Sequence, residues 1–222
     1  MRTLYHMWLS PFSRKVRLAL AEKKLPFEMK FEKTWERRPD YLALNPAGKV
    51  PTLVDEDGTV IPDSYAICEY LEEVYPEPAL LGGDARARAE TRRLTAWFDT
   101  LLDTEVTSPL VAEKVFKSFM RTGQPDSAVI RAASENIRPH LDYIGALAYE
   151  RGWLAGDQIS LADISAGANL SCCDYLGSVP WADFPRAKEW YARLKSRPSF
   201  RPLLADYIPG LPPPRHYADP DF

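Results

Sequence analysis

Apolar and polar positions change their spacing twice along the chain. Over the first 75 residues, short apolar runs alternate with stretches of helical period. Thr3-Leu4-Tyr5-His6-Met7 predicts a strand, and Pro11 fits the first turn of a helix, where its missing N–H leaves nothing unpaired. Val16, Ala19, Leu20 and Lys23 give that helix its spacing of three and four, and Pro26 is expected to end it. Phe27-Glu28-Met29-Lys30-Phe31 alternates as a strand does. Thr52-Leu53-Val54-Asp55 and Thr59-Val60-Ile61 flank Glu56-Asp57-Gly58, and Asp-Gly between apolar runs is a hairpin turn. Ala66, Ile67, Tyr70, Leu71 and Val74 then share one helical face. The predicted order is strand, helix, strand, short helical connection, strand, strand, helix.

From Tyr75 to Asp84 two prolines and two glycines break the pattern and predict a linker. Beyond it the periodicity is helical only. Leu94, Trp97, Phe98, Leu101 and Leu102 predict one continuous apolar face, and Ala187, Trp190, Tyr191 and Leu194 repeat it. Ser160 and Asp163 form a capping box before an apolar run. The expected organisation is an α/β domain over 1–77, a linker over 78–86, an all-α domain over 87–206 and a proline-rich tail over 207–222.

Composition narrows the function classes. With 45% hydrophobic and 27% charged residues the chain is an ordinary globular one. A net charge of −3 gives no basis for nucleic-acid binding. No apolar run is long enough to span a membrane, and Met1-Arg2-Thr3-Leu4-Tyr5 lacks the apolar core of a signal peptide, so a cytoplasmic protein is expected. Cys68, Cys172 and Cys173 have no framework spacing, and His6, His140 and His216 lie far apart, so neither disulfides nor a metal site is expected. Twenty prolines in 222 residues are about twice the usual share.

Three short segments could carry chemistry. Ser10-Pro11-Phe12-Ser13 sits where a strand meets a helix N-terminus, so Ser10 could cap the helix or donate a hydrogen bond to a thiolate. In Asn45-Pro46-Ala47-Gly48-Lys49-Val50-Pro51, a proline stands at a strand entrance. A cis Val50–Pro51 bond would turn the Val50 peptide outward to pair with an extended ligand. Asp63-Ser64 opens a helix and could cap it, or could answer a ligand's ammonium and carboxylate.

Together these segments resemble the glutathione transferase superfamily. The pattern Asn45-Pro46-x-Gly48-x-Val50-Pro51-x-Leu53, followed by Asp63-Ser64-x-Ala66-Ile67-x-x-Tyr70-Leu71, is similar to that family's glutathione-site signature, and Ser160-Leu161-Ala162-Asp163-Ile164 to its capping motif. The resemblance implies a thioredoxin-like domain followed by a helical domain, a homodimer, and glutathione as ligand or co-substrate without a metal. It places Ser10 as the activating hydroxyl, with Ser13 as second choice and Phe12 beside it. Val50 and Pro51 meet the cysteinyl part, Asp63 and Ser64 the γ-glutamyl end, and Lys49 the glycine carboxylate, with Trp35 as neighbour. His6 lies near where other classes place a tyrosine. Trp8, Phe116, Phe119 and Tyr175 are candidates for the wall that holds a small hydrophobic electrophile.

The tail, from Pro209 to Phe222, cannot be helical throughout. It is either a strap on its own surface or an extended ligand for a partner. Tail and Trp35 resemble a branch of the family, the alphaproteobacterial cell-division regulators that bind the tubulin-like GTPase FtsZ. That resemblance implies a noncatalytic scaffold touching its partner through Trp35, Asp219, Asp221 and Phe222. On the extended reading, deletion from Pro209 onward leaves the fold standing.

Overall fold

The computed structural model describes residues 1–219. The chain divides into two compact units, Met1–Leu80 and Leu81–Phe222.

The first unit is built on a four-stranded sheet in the order β2-β1-β3-β4. Strand β1 (Arg2–His6) runs parallel to β2 (Phe27–Phe31) and antiparallel to β3 (Thr52–Val54), which pairs antiparallel with β4 (Val60–Pro62). Leu4 lies opposite Met29 on one side and Leu53 on the other. Helices α1 (Pro11–Glu22) and α3 (Ser64–Val74) pack together, and Leu4, Val16, Leu20, Leu53, Ile67 and Leu71 form a core closed to solvent. A single 3₁₀ turn (Thr34–Glu36) and the short α2 (Pro39–Leu44) connect β2 to β3. This is a thioredoxin-like sheet with its helices. Gly58 takes φ 88° in the β3–β4 turn, as the Asp-Gly signal requires, and Asp57 Oδ1 accepts from the Thr59 N–H at 2.9 Å.

Two local expectations shift. Helix α1 stops before Pro26 is reached, because Lys24 turns left-handed at φ 56°. Its capping Lys23 is buried, and its ammonium meets Glu72 Oε1 at 2.6 Å and the carbonyls of Tyr75 and Pro78 at 2.7 and 2.9 Å. Strand β2 alternates in sequence, yet Met29 and Phe31 are both more than 40% exposed, because β2 is a sheet edge.

The second unit is helical. Helix α4 (Ala85–Ala96) continues as a π-wound stretch over Trp97–Thr107, then through α5 (Ser108–Val111), a second π-wound turn (Ala112–Phe116) and α6 (Lys117–Met120). Wider winding rotates the apolar stripe. Leu94, Phe98 and Leu102 are inaccessible, while Leu101, expected on the same face, is exposed and Trp97 half-buried. Helix α8 (Leu161–Tyr175), every residue of which is buried, packs against α4 and the π-wound stretch, while α7 (Ser127–Arg151) packs against α9 (Pro185–Lys195). Gly167 permits the approach of α9 to α8, since a Cβ there would collide with Leu194. The Ser160–Asp163 capping box forms as expected.

After α10 (Arg201–Leu204) the tail is a strap on its own unit, ending in a 3₁₀ turn at Arg215–Ala218. Tyr217 is fully buried, and its hydroxyl donates to Leu203 O at 2.9 Å. The Tyr175 hydroxyl donates to Leu211 O at 2.8 Å and accepts from Ile208 N. Buried Lys195 donates to the carbonyls of His216 and Asp219, 3.0 and 2.6 Å away. Its counter-ion Asp174 lies 3.9 Å off and accepts from Trp181 Nε1 at 2.8 Å, with His216 Nε2 at 3.0 Å. Burial raises the Asp174 carboxyl pKa and lowers that of Lys195, so each depends on these partners. Of the two readings of the tail, the structure shows the strap, and loss of residues from Pro209 onward is expected to strip these buried groups of their partners.

His140 adds a pH dependence. Its Nδ1 accepts from Trp97 Nε1 at 3.1 Å, which leaves Nε2 to donate toward Glu105 Oε2 at 3.2 Å. Burial lowers its pKa, against the smaller pull of Glu105. The folded state thus binds a proton less readily than the unfolded one, whose His titrates near 6.5. Stability should be level above about pH 6.5 and fall below it, by at most about 1.4 kcal/mol per pH unit. Urea midpoints at pH 7.5 and 5.5 should show the loss in wild type and a smaller one in His140→Gln, whose amide oxygen can still accept from Trp97.

Candidate functional site

Ser10 caps α1. Its Oγ accepts from the Ser13 N–H at 3.1 Å. A hydroxyl has one donor and two acceptor positions, and among the described residues nothing receives the Ser10 proton. The two roles open at the sequence level are therefore compatible. Accepting from a helix N–H also polarises the O–H, which makes it a better donor. Ser13 is 0% exposed, and its Oγ accepts from Met7 N at 3.5 Å, which closes the loop. Phe12, two residues after Ser10, is half-buried.

The loop before β3 is held from beneath. Asn45, itself buried, accepts from Ala47 N at 3.1 Å and donates to Lys49 O and Thr52 Oγ1 at 2.8 and 3.1 Å. The Tyr41 hydroxyl donates to the same Lys49 carbonyl at 2.5 Å. Gly48 sits at φ 65°, where a Cβ would meet Leu42 at 3.0 Å. The Val50–Pro51 bond is cis. Among the described residues neither the N–H nor the C=O of Val50 has a partner. Lys49 is exposed; Trp35 is half-buried in the 3₁₀ turn after β2.

Pro51 O accepts from Asp63 N at 3.2 Å, which ties this loop to the start of α3. Asp63 stands at φ 76° and ψ 132°, a positive-φ conformation outside the left-handed helical well that is costly for an L residue. Its Oδ1 caps the helix by accepting from Tyr65 N and Ala66 N at 2.8 and 3.3 Å, while the carboxylate stays exposed. Ser64 is buried, and its hydroxyl has no partner among the described residues. Within one unit the fold thus presents a proton donor, an unpaired peptide group, and a helix N-terminus with a hydroxyl and a carboxylate. That set suits a peptide-like ligand bearing both charges.

Other candidates fall elsewhere. His6 is buried against the rings of Trp8 and Phe31, with centroids at 4.8 and 6.1 Å. Tyr175 belongs to the core and is withdrawn from the expected wall, since its hydroxyl holds the tail. Trp8 and Phe116 are half-buried and Phe119 exposed. Asp219 keeps its side chain exposed, whereas Asp221 and Phe222 lie outside the described residues. Burial pushes the Cys173 thiol up to about 12, far from a nucleophile's range. Among the described residues no group of His, Cys, Asp and Glu could hold a metal, and no helix is long and apolar enough to cross a membrane.

The sequence analysis missed two features. Tyr41 gives no local signal, because its partners come from the next loop. Asp55 was likewise passed over, yet it gathers Arg2 Nε at 2.7 Å and the hydroxyls of Tyr70 and Tyr75 at 2.7 and 3.0 Å. Burial opposes the Asp55 charge, but these partners hold its pKa below the usual carboxylate value.

Comparison with known proteins is consistent across the chain. Residues 9–74 match the glutathione S-transferase N-terminal domain family, and 127–193 the glutathione S-transferase C-terminal domain family. The whole chain is 51% identical to FtsZ-localized protein A of Caulobacter vibrioides, covering 98% of it. Over 94% of its length it is 33% identical to the maleylacetoacetate isomerase of Pseudomonas aeruginosa, covering 98% of that chain. It superposes on a glutathione S-transferase from Rhodospirillum rubrum F11 with a TM-score of 0.98, at 59% identity over all of both chains.

Proposed function

The chain belongs to the glutathione S-transferase family, and from that premise we propose that it binds glutathione and holds the thiol as a thiolate for attack on small hydrophobic electrophiles. The observation that carries this reading is Ser10, whose oxygen caps α1 while its proton remains to be given. The cysteinyl part would lie along Val50 and Pro51, the γ-glutamyl end on Asp63 and Ser64, and the glycine carboxylate toward Lys49, with Trp35 and Phe12 alongside. The energy required is modest. A free thiol titrates near 8.5, and lowering it by two units takes roughly 2.7 kcal/mol. One charge-assisted hydrogen bond supplies about 1.5–3 kcal/mol, and the helix N-terminus about 0.3–1.

Calorimetry with glutathione tests binding, and thiolate absorbance against pH tests activation. Bound glutathione should titrate near 6.5 in wild type. Ser10→Ala should raise that by one to two units, and Ser10→Asp, which still caps but cannot donate when ionised, should raise it at least as much. An unchanged titration in both would return the role to backbone N–H groups. We also propose a cytoplasmic homodimer, for which light scattering should give about twice the 25.2 kDa chain mass.

A second reading is favoured by the 51% full-length identity to FtsZ-localized protein A, well above the 33% to the isomerase. In it the chain is a noncatalytic scaffold that binds FtsZ and regulates bacterial cell division, through Trp35 and the tail acids Asp219 and Asp221 with Phe222. Co-sedimentation with FtsZ polymers and conjugation of a test electrophile, run on Ser10→Ala and on Asp219→Lys/Asp221→Lys, separate the two. The enzyme loses conjugation in the first variant only. The scaffold loses sedimentation in the second only.

A further inference from the structure

We propose that the outer groove between α7 and α9 docks an extended acidic segment of a partner polypeptide, read by Arg186 and Arg193. The groove encloses about 260 Å³ and is lined by Ala148, Tyr149, Arg186, Glu189, Trp190 and Arg193. Tyr149 is 71% exposed, a large aromatic surface left open to water. The Arg186 guanidinium lies over its ring, 4.0 Å from the centroid, and that of Arg193 over Trp153 at 4.2 Å. Arg193 also donates to Gly152 O. Stacking fixes a guanidinium's plane while leaving its N–H edge free for a carboxylate, so part of the ordering cost of binding is met before a partner arrives. Neither arginine has a carboxylate partner among the described residues, although Glu189 stands three residues after one and four before the other. Exposed Arg and Tyr around a concave surface is the composition of interface hot spots.

The spacing specifies the occupant. Seven residues along a helix place the two arginines about 10 Å apart. In an extended polyproline II segment, which rises about 3.1 Å per residue with three residues per turn, that distance separates two side chains three residues apart on one face. Glu189 lies between the arginines in sequence and repels a third acid, so the two intervening residues should be uncharged, with an apolar one against Tyr149. The groove therefore fits Asp/Glu-x-x-Asp/Glu in the extended polyproline II conformation. It offers little to a polyanion of even charge density.

Full-length protein should be panned against a display library of random dodecapeptides and then titrated with a fluorescein-labelled consensus peptide. The expected result is enrichment of two acids three residues apart. Binding should weaken at least thirtyfold in Arg186→Glu/Arg193→Glu and about fivefold in Arg186→Lys/Arg193→Lys, which keeps charge but loses the stacked fork. Arg186→Gln/Arg193→Gln should fall between them, with thermal midpoints of all three near wild type. Absence of acidic enrichment would overturn the proposal. So would affinity that survives the charge reversal, or equal arginine-dependent binding of single-stranded DNA or anionic phosphatidylserine vesicles.

Discussion

Asp163→Ala should lower the melting temperature of the helical unit by roughly 10 °C, a large effect for one small side chain. Asp163 is fully buried, and burial pushes its carboxyl pKa up. It accepts four hydrogen bonds. Oδ1 takes Leu154 N and Trp190 Nε1, both at 2.9 Å, and Oδ2 takes Ser160 N at 3.0 Å and Ser160 Oγ at 2.9 Å. Three elements therefore meet on one carboxylate: the loop after α7, the start of α8, and α9. Alanine leaves those donors buried and unpaired, which costs about 3–5 kcal/mol net. For a unit of this size each kcal/mol shifts the midpoint by about 2–4 °C. Asp163→Asn keeps two acceptor positions but turns an N–H₂ toward the others, and should cost about half as much. Glu90→Ala is the contrast. Glu90 is paired to Arg93 and Arg151, which hold its carboxyl pKa at about 2, but the triad is partly exposed and its loss should cost no more than about 1 kcal/mol. Thermal melts by circular dichroism compare all three.

A chain stopped after Ile208 should fail to fold its helical unit, in contrast to the full chain. The shorter chain loses Tyr217, a fully buried aromatic. Truncating such a side chain alone costs about 3–5 kcal/mol. It also strips two carbonyl acceptors from the buried ammonium of Lys195 and removes His216 from Asp174. An uncompensated buried charge adds several kcal/mol more, and the sum approaches the whole stability of a typical domain. Soluble yield and near-ultraviolet circular dichroism of the truncated and full chains give the answer. Partner binding through the tail is therefore best tested by the charge changes, since a cut at Pro209 removes the fold together with any contact.

What was legible in the sequence was local. Asp57-Gly58, the Ser160–Asp163 box, the Asp63-Ser64 helix start and Pro11 each put their instruction and their structural consequence within a few residues. The glutathione-site signature is a string of such instructions. What was not legible joins distant positions or depends on winding. Lys195 looks like a basic residue in a last helical turn, a favourable surface position, yet it is buried beneath carbonyls more than 20 residues downstream. Leu101 satisfies a 3.6-residue period that the π-wound stretch does not keep. Tyr175 has the composition of a ligand wall, and only the strap crossing its hydroxyl assigns it to the core. At Ser10 a cap and a donor seemed to compete until the direction of the Ser13 bond showed that one oxygen can serve both.

The strap also sets an order of events during synthesis. Met1–Leu80 contains all four strands of its sheet and the helices that cover them, so it can close while later codons are still being read, as amino-terminal domains commonly do. The helical unit has no such head start. Helices α4 to α9 are all made before residues 211–219, and the slot over Tyr175 and the Lys195 ammonium stay open until those residues emerge and dock. During that interval the chain exposes an unfilled aromatic slot, the kind of transiently open apolar surface from which aggregation starts.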